Sequence, residues 1–410
     1  MEAWSGIFMK IHRILATAVI RGLKEILLEH QQADTTVANL LQSNANWGAR
    51  DRNFIAQNIY QIVRYKRLYE FVSGEETWGE SSLWRALGAK LILDGLELPQ
   101  WQEFAGLNPD EINALYEQAK QIRKIRESIP DWLDELGIQE LGEAWDEEIA
   151  ALNTPAKFSI RVNSLKTDIN WVKQMLTEEG IPFSETALAP DALIIETRKN
   201  FKNHAAYRKG LFEIQDISSQ LVAPLLDVEP GMNVIDGCAG AGGKTLHLAA
   251  LMENEGEILA VDVSLKKLEE LSYRAKRAGC TIVKTLEAEK LSRNFQARLN
   301  SFADRILVDV PCSGTGVLRR KPDAKWSLTL KFIQELQKTQ AQILDEYATM
   351  LKTGGIMVYS TCSIFPSENE LQIQAFLKKN EGKFELTTEK RISPAQNGFD
   401  GFYMARLKRL

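Results

Sequence analysis

Residues 236–245, with the sequence DGCAGAGGKT, decide the fold of this chain. They follow a short run of β-prone residues, 232–236, and lead into a stretch with helical spacing of its apolar residues. Glycines at such a turn let the backbone bend sharply and approach a ligand, with the N-terminus of the helix directed at it. The segment therefore predicts a loop that holds a nucleoside-type cofactor.

Three kinds of cofactor loop compete for this segment. A phosphate-binding P-loop ends in Gly-Lys-Thr, as residues 243–245 do, but it requires glycine where Cys238 stands. A dinucleotide fingerprint requires a third glycine where Thr245 stands. A methyl-donor loop, which cradles an amino-acid tail instead of a pyrophosphate, fits without contradiction. The loop alone predicts only a nucleoside-type cofactor.

Strand-like and helical runs alternate on both sides of the loop. The strand-like runs are residues 232–236, 257–262, 281–286, 305–310 and 356–360, and helical runs such as 264–278 and 330–351 lie between them. This alternation is typical of an α/β protein with a doubly wound, Rossmann-like parallel sheet, which binds ligands beyond the carboxyl ends of its strands. The second strand ends at Asp262, where such a site places an acid against ribose hydroxyls.

The N-terminal part of the chain has a different pattern. Residues 9–150 repeat apolar side chains every three or four positions and predict an all-helical domain. Residues 156–215 combine strand-like runs at 157–162, 192–196 and 211–214 with a helical run at 169–179. Because a residue before proline leaves the helical region, Thr154-Pro155 marks a boundary. We expect a helical domain at 1–152, a small α+β module at 153–226 and the α/β core at 227–410.

Composition limits the environment and the partners. The formal net charge of −5 disfavours a general nucleic-acid binder, but residues 71–150 hold 18 acidic and 6 basic side chains, so a basic surface elsewhere is open. No segment is apolar over a membrane-spanning length, which predicts a cytoplasmic protein without a membrane partner. The four cysteines are widely spaced, so no metal site is expected. Nothing requires more than a monomer.

Two cysteines follow the ends of two predicted strands. Cys312 lies in DVPCSGTG, residues 309–316, and Cys362 lies in YSTCS, residues 359–363. If these strands are neighbours, both thiols lie at the carboxyl edge of the sheet beside the cofactor loop. Small polar residues flank both, which favours a reactive role, whereas Cys280 is interpreted as a small buried apolar residue.

A thiol at this position suits methylation of a pyrimidine ring. Carbon 5 of the intact ring is a poor nucleophile, but a thiolate that adds at carbon 6 makes it enamine-like and able to attack an electrophilic methyl group. An acid near ring nitrogen 3, for which Asp309 is the candidate, would favour the adduct. The second cysteine could serve in the elimination that releases the enzyme.

The motifs together resemble the RsmB-like (Sun/Fmu) family of RNA cytosine-5 methyltransferases. The family pattern D-x-C-A-A-P-G-G-K-T is met by residues 236–245, with Gly240 and Ala241 in place of Ala-Pro. Its D-A-P-C-S-G-[TS]-G resembles residues 309–316, and its Y-S-T-C-S-[IL]-x-x-x-E-N-E is matched by residues 359–370. Further matches lie at 161–165, 215–220, 319–326 and 400–403. The resemblance covers roughly residues 156–410, and residues 9–150 resemble, more weakly, a NusB-like RNA-binding domain.

This resemblance implies a set of site residues. Cys362 matches the attacking cysteine and Cys312 the one that assists release. Asp309 lies between the methyl donor and the base, and Lys244 reaches toward both. S-adenosyl-L-methionine (SAM) is bound by Cys238, Ala239, Gly240, Ala241, Gly242, Gly243 and Lys244, with Asp262 on the ribose. The acid after the third strand is Glu287, with Glu289 as the alternative.

The resemblance implies an RNA substrate. Single-stranded or looped RNA is favoured, because the target base must leave any stack to meet Cys362. The NusB-like resemblance favours 16S small-subunit rRNA, and tRNA is the main rival. DNA cytosine-5 methyltransferases also carry a Pro-Cys at the fourth strand, where that cysteine attacks, but they are disfavoured by Thr361-Cys362. A non-catalytic RNA-binding assembly factor is disfavoured because both cysteines, Asp309 and Lys244 are present.

Basic residues near these motifs are candidates for phosphate contacts. In the small module they are Arg161, Arg198, Lys199, Lys202, Arg208 and Lys209. After the Cys312 loop they are Arg319, Arg320, Lys321 and Lys325. Trp326, next in the chain, either stacks on a base or anchors its loop.

Overall fold

The computed structural model describes residues 11–75, 77–197, 201–291 and 297–410. The chain forms two compact units. The first comprises residues 1–154 and 318–330, and the second comprises residues 155–317 and 331–410. No helix within the described ranges is both long enough and apolar enough to cross a membrane.

The first unit is helical, as its periodicity predicts. Its longer helices are α1 Arg13–Leu27, α2 Ala33–Gln42, α3 Ala49–Arg64, α4 Lys66–Ser73, α5 Glu80–Leu93, α6 Pro109–Ala119, α7 Asp131–Leu141 and α8 Ala144–Leu152. One-turn helices lie at Arg123–Arg126 and Ala324–Ser327. The apolar faces of α1 and α3 supply fully buried side chains to one core, among them Leu23, Ile55 and Ile59. Burying these faces is what makes helices of this length stable.

Residues 318–330 belong to this helical unit although they follow the Cys312 loop in sequence. Arg319 is 4% exposed and Lys325 is 1% exposed. The Lys325 ammonium donates to the Glu127 carbonyl and to Asn153 Oδ1, both at 3.2 Å. Burial lowers the pKa of Lys325 well below its usual value. The prediction that Arg319 and Lys325 contact phosphates is therefore wrong, because both side chains are buried and donate to carbonyl groups of the helical unit.

Trp326 anchors this segment. Its indole N–H donates to the Val63 carbonyl at 2.7 Å, and its ring packs against the core of the unit. Of the two interpretations of this residue, the structure supports the anchor. The other two basic residues of the segment differ from Arg319 and Lys325, since Arg320 is half-buried and Lys321 is exposed.

The second unit begins with a small antiparallel sheet. Its strands are β1 Phe158–Val162, β2 Phe183–Ser184, β3 Ala192–Ile195 and β4 Phe212–Ile214, in the order β2-β3-β1-β4. Helix α9, Ile169–Glu178, covers the sheet with Val172 and Leu176. Lys202, Arg208 and Lys209 are exposed here, and the predicted contacts Arg198 and Lys199 lie outside the described residues.

A seven-stranded sheet follows and confirms the predicted α/β core. Its strands are β5 Asn233–Asp236, β6 Glu257–Asp262, β7 Val283–Glu287, β8 Ala303–Asp309, β9 Leu351–Thr361, β10 Phe384–Ile392 and β11 Phe402–Arg409. The longer helices are α10 Gly243–Leu251, α11 Leu265–Ala278, α12 Leu330–Ala348 and α13 Glu370–Lys379. Strands β5 to β9 pair in parallel, whereas β11 pairs antiparallel with β9 and β10. The sequence analysis did not predict β10 and β11.

The sheet order β10-β11-β9-β8-β5-β6-β7 places a topological switch between β5 and β8. From β5 the chain proceeds outward to β6 and β7, and then returns to β8 on the other side. Ligands of doubly wound sheets bind in the crevice beyond the strand ends at such a switch. The loop after β5 and the cysteine loop after β8 therefore flank the same crevice.

The anchoring role of Trp326 can be tested by Trp326→Phe. The variant keeps an aromatic ring but loses the indole donor to the Val63 carbonyl, so the free energy of unfolding should fall by about 1 kcal/mol. Urea unfolding of the full chain measures this. Trp171→Phe, at a ring that is 47% exposed, is the matched control and should change little. Equal stability of both variants and the wild type would contradict the anchor.

Candidate active site

The loop after β5 has the shape that its glycines predict. Gly240 and Gly242 have φ angles of +55° and +85°. A Cβ atom at Gly242 would lie 2.6 Å from Leu271 Cγ, so only glycine fits there. A Cβ atom at Gly240 would meet nothing within 4 Å, so this side of the loop faces open space. The loop thus turns tightly against α11 and keeps an open side for a ligand.

Asp262, at the end of β6, is fixed by two backbone donors. The Gly240 N–H donates to Oδ2 and the Ser264 N–H to Oδ1, both at 2.9 Å. Each oxygen keeps a second lone pair for a hydroxyl group. Glu287 stands opposite Asp262 in the parallel β6–β7 register, whereas Glu289 is exposed in the turn beyond the strand. The register therefore favours Glu287 over Glu289 as the third-strand acid.

Two arginines hold the carbonyl groups of the loop. Arg274 donates to the Ala241 carbonyl at 2.6 Å and to Glu213 at 2.9 Å. Arg161 donates to the Gly243 carbonyl at 2.8 Å and contacts Gln215. Burial lowers the pKa of Arg161 to about 10, and the side chain is 3% exposed. The prediction that Arg161 contacts phosphate is wrong, because its guanidinium is buried and donates to the loop backbone.

Asp309, at the end of β8, accepts a bond on each oxygen. Lys244 is the second residue of α10, and its ammonium lies 2.6 Å from Oδ2. The Ser360 hydroxyl donates to Oδ1 at 2.7 Å. The Lys244 ammonium also lies 5.0 Å from the centroid of the Phe402 ring. The structure thus brings Lys244 and Asp309 together as an ion pair. Charged groups held in fixed positions like these can stabilise charge that develops during a reaction.

The two predicted reactive cysteines are in contact. Their sulfur atoms are 3.1 Å apart, and the Cys362 N–H donates to Cys312 Sγ at 3.3 Å. Both side chains are half-buried thiols. The hydrogen bond with Cys362 and, next, burial raise the pKa of Cys312 well above its usual value. Cys312 therefore keeps its proton and can donate it to a thiolate at Cys362.

The remaining cysteines are in less reactive surroundings. Cys280 is buried in the core, and burial raises its pKa to about 11, as expected for an inert thiol. Cys238 lies in the loop after β5, and burial raises the pKa of its thiol as well. A raised pKa reduces the thiolate fraction, so neither thiol is a nucleophile at neutral pH.

Glu368 is a residue of the site that the sequence analysis did not single out. Its side chain is fully buried and accepts hydrogen bonds from Ser313 and Ser363, the residues that follow the two cysteines. The signal was available, because Glu368 is the first acid of the E-N-E segment in the motif at residues 359–370. Only the structure shows that this acid reaches both cysteine loops.

Comparison with known proteins identifies the family. Residues 223–408 match the family described as 16S rRNA methyltransferase RsmB/F. Residues 129–202 match the ferredoxin-like domain of RsmF/B-like methyltransferases. The probable ribosomal RNA small subunit methyltransferase B of Synechocystis is 35% identical over 299 residues, which are 69% of this chain and 67% of that protein. This chain belongs to the RsmB/F methyltransferase family.

Another relative and two solved structures are also similar to this chain. The ribosomal RNA small subunit methyltransferase B of Pasteurella multocida is 36% identical over 68% of this chain and 65% of its own length, so the match spans about two thirds of these relatives. A methyltransferase homologue from Pyrococcus horikoshii is 28% identical over 70% of this chain and 98% of its own, with a TM-score of 0.63. The fold of PH0851 covers 98% of this chain and 100% of its own at 24% identity and a TM-score of 0.82.

RsmB/F methyltransferases are SAM-dependent, and the residues present fit this cofactor. The open side at Gly240 provides room, and the N-terminus of α10 provides amide donors. Asp262 and Glu287, which are neighbours in the β6–β7 register, provide carboxylates that can accept hydrogen bonds from ribose hydroxyls. SAM carries a methyl group on a sulfonium ion and supplies it to a nucleophile. Lys244 and Asp309 form an ion pair that joins the helix after the loop to the end of β8.

The buried Asp236 predicts a pH-dependent stability. Burial raises its pKa to about 7 from 3.8, although Thr245 donates to it at 2.7 Å. Between pH 4 and 7 the folded chain keeps a proton that the unfolded chain has lost, so rising pH lowers the free energy of unfolding. Asp236→Asn removes this effect. Its stability relative to the wild type should increase from pH 5 to 7, by at most about 2.7 kcal/mol, and level off above about pH 8.

Urea unfolding at half-unit pH steps measures this difference. Asp345→Asn, at a surface aspartate paired with Lys379, is the matched control. A difference between Asp236→Asn and the wild type that is constant from pH 5 to 8 would refute a raised pKa at Asp236.

Proposed function

We propose that this RNA methyltransferase methylates carbon 5 of a cytosine through a covalent bond between Cys362 and carbon 6. The observation that carries the proposal is the contact of two thiols, 3.1 Å apart, at the sheet edge next to the loop after β5. A single nucleophile needs only one thiol, whereas a covalent cycle also needs a group that assists release. The pair supplies both.

The first step uses the contact between the two thiols. Cys362 adds as a thiolate to carbon 6 of the extruded cytosine, forming the sulfur–carbon bond and making carbon 5 enamine-like. Cys312, whose pKa is raised, stays protonated and lies close enough to donate a hydrogen bond to a thiolate at Cys362. A donor at this distance stabilises the thiolate before it attacks. We therefore assign Cys362 as nucleophile and Cys312 as the assisting residue.

The later steps involve Asp309 and Lys244. Asp309, held by Lys244 and Ser360, faces nitrogen 3 of the ring and stabilises the adduct. SAM, when bound, would supply the methyl group to carbon 5 as its sulfonium–methyl bond breaks, leaving S-adenosylhomocysteine. The proton on carbon 5 passes to solvent water, its bonding electrons reform the double bond between carbons 5 and 6, and the Cys362 sulfur leaves as a thiolate that Cys312 stabilises with a hydrogen bond.

We assign the cofactor to the loop and the neighbouring strand ends. The contacts come from Cys238, Ala239, Gly240, Ala241, Gly242, Gly243 and Lys244, with Asp262 and Glu287 on the ribose side and Asp309 next to the methyl group. Val263, directly after Asp262, is 80% exposed and offers an apolar surface to the adenine. Burial of an apolar side chain against a flat ring is favourable, so the exposed Val263 would be covered when the cofactor binds.

Small-subunit rRNA is the substrate that we favour. The relatives from Synechocystis and Pasteurella multocida are named ribosomal RNA small subunit methyltransferases, and the matched family is described as acting on 16S rRNA. We expect residues 1–152, the NusB-like part of the predicted three-domain chain, to contribute RNA contacts. A tRNA cytosine is the second candidate.

The roles of the two cysteines are distinguished by trapping. Cys312→Ala should form the bond to cytosine but release it slowly, so that an RNA-linked protein accumulates on a denaturing gel with SAM present. Cys362→Ala should form none, because it lacks the attacking sulfur. Cys280→Ala, at a buried thiol outside the site, is the control and should turn over without accumulation. Equal trapping by the Cys312 and Cys362 variants would contradict the assignment.

The substrate is identified by bisulfite sequencing of cellular RNA from cells with and without this protein. We expect one cytosine of 16S rRNA to lose its protection when the protein is absent, and the Cys362→Ala protein should not restore it. Loss of protection at a tRNA position instead would favour the second candidate. Unchanged patterns in both RNAs would refute cytosine-5 methylation as the activity.

A further inference from the structure

The two cysteine loops share a buried carboxylate. Glu368 is 0% exposed, and its carboxylate lies between the loop after β8 and the loop after β9. Among the described residues no lysine, arginine or histidine forms an ion pair with it. A buried charge without a cation is costly unless hydrogen-bond donors surround it. The hydrogen-bond donors around Glu368 therefore stabilise its carboxylate in this buried position.

The donors come from both cysteine loops. Ser313, directly after Cys312, donates its N–H to Oε1 at 2.8 Å and its hydroxyl to Oε2 at 2.5 Å. Ser363, directly after Cys362, donates its hydroxyl to the same Oε2 at 2.6 Å. One carboxylate oxygen thus receives a hydroxyl from each loop. The two serines are fixed relative to each other, and the adjacent cysteines are fixed with them.

A further shell fixes Glu368 itself. The Gln340 amide on α12 donates to Oε1 at 3.0 Å and to the Pro311 carbonyl at 3.0 Å. Tyr359 donates from its hydroxyl to the Glu368 carbonyl at 2.6 Å. Gln340 is fully buried as well. Both oxygens of Glu368 accept hydrogen bonds from several groups, so the carboxylate cannot move away from the serines without leaving these buried donors unpaired.

We propose that Glu368 is a positioning residue that sets the distance between the Cys312 and Cys362 sulfurs by holding Ser313 and Ser363 on one carboxylate. Glu368 forms no hydrogen bond with either sulfur, so it sets their spacing through the serines. The proposal rests on the proposed function for its catalytic consequence, but the spacing of the two thiols exists independently of it. A spacing of 3.1 Å allows Cys312 to assist Cys362, and a longer one weakens that assistance.

Two substitutions separate the effect of the length of the Glu368 side chain from the effect of its charge. Glu368→Asp keeps the carboxylate but shortens the side chain by one methylene group, so that it cannot bond both serines at once. Glu368→Gln keeps the reach, and its oxygen can still accept from the Ser313 N–H and Gln340. A spacing role predicts that the Asp variant is affected more than the Gln variant. Glu370→Gln, on the same segment and paired with Arg391, is the matched control.

The spacing is measured with phenylarsine oxide, which bridges two adjacent thiols and releases one water molecule. Intact mass should show one bridged arsenical on the wild type and none on Cys312→Ala or Cys362→Ala. Glu368→Asp should bridge about 10- to 100-fold more slowly and lose methyl transfer by a similar factor in kcat, with the KM for SAM unchanged. Glu368→Gln should lose less, and Glu370→Gln nothing.

The outcomes separate the two proposals. Wild-type bridging by a folded Glu368→Asp overturns the positioning role, whatever its methyl transfer. Slow bridging by this variant, together with a wild type that methylates no RNA, supports the positioning role and refutes the proposed function. If circular dichroism shows that Glu368→Asp does not fold, Ser363→Ala replaces it, because it removes one arm and keeps Glu368. Slower bridging by Ser363→Ala then supports the role, and wild-type bridging overturns it.

Discussion

Parallel pairing of β8 with β9 is the constraint on which the site depends. It sets Asp309 opposite Ser360, so two loops that are 50 residues apart in sequence leave the sheet side by side. Since β8 also pairs with β5, the loop after β5 leaves at the same edge. Cofactor loop, acid and both cysteines thus meet because three parallel strands are neighbours. The sheet places these residues near one another, and hydrogen bonds between their side chains then determine the distances between them.

Buried charge in the second unit serves to fix the loop backbone. Glu213, on β4 of the small sheet, pairs with Arg274 and Arg277 of α11, and Arg274 continues to the Ala241 carbonyl. Such groups are tolerated inside a protein only where the ion pair is completed by hydrogen bonds. The RsmB-like pattern has proline where Ala241 stands here. In this chain the carbonyl groups on either side of Gly242 are restrained by arginines, which limits the freedom that a loop without proline would otherwise have.

Much of the fold was predictable because its signals are local. The five parallel strands and the helices between them follow from alternating runs, and the observed bounds differ from the predicted ones by only a few residues at most ends. Strand β9 begins at Leu351 instead of residue 356, and β10 and β11 were missed. The exposed residues of β10, such as Glu385 and Lys390, are polar, so its apolar signal is weak. Strand β11 carries a buried apolar run at residues 402–405, but the sequence analysis assigned its first residues only to a family motif.

The sequence by itself determined the family, the cofactor loop and the candidate cysteines, because each is encoded by residue types within a few positions of one another. It could not determine which charged residues are available to RNA. Arg161 and Lys325 resemble surface cations in sequence, yet their partners are carbonyl and amide groups contributed by residues distant in sequence. Likewise, only the tertiary structure joins Ser313 and Ser363 through Glu368. Burial and long-range hydrogen bonds arise from packing, which no local pattern records.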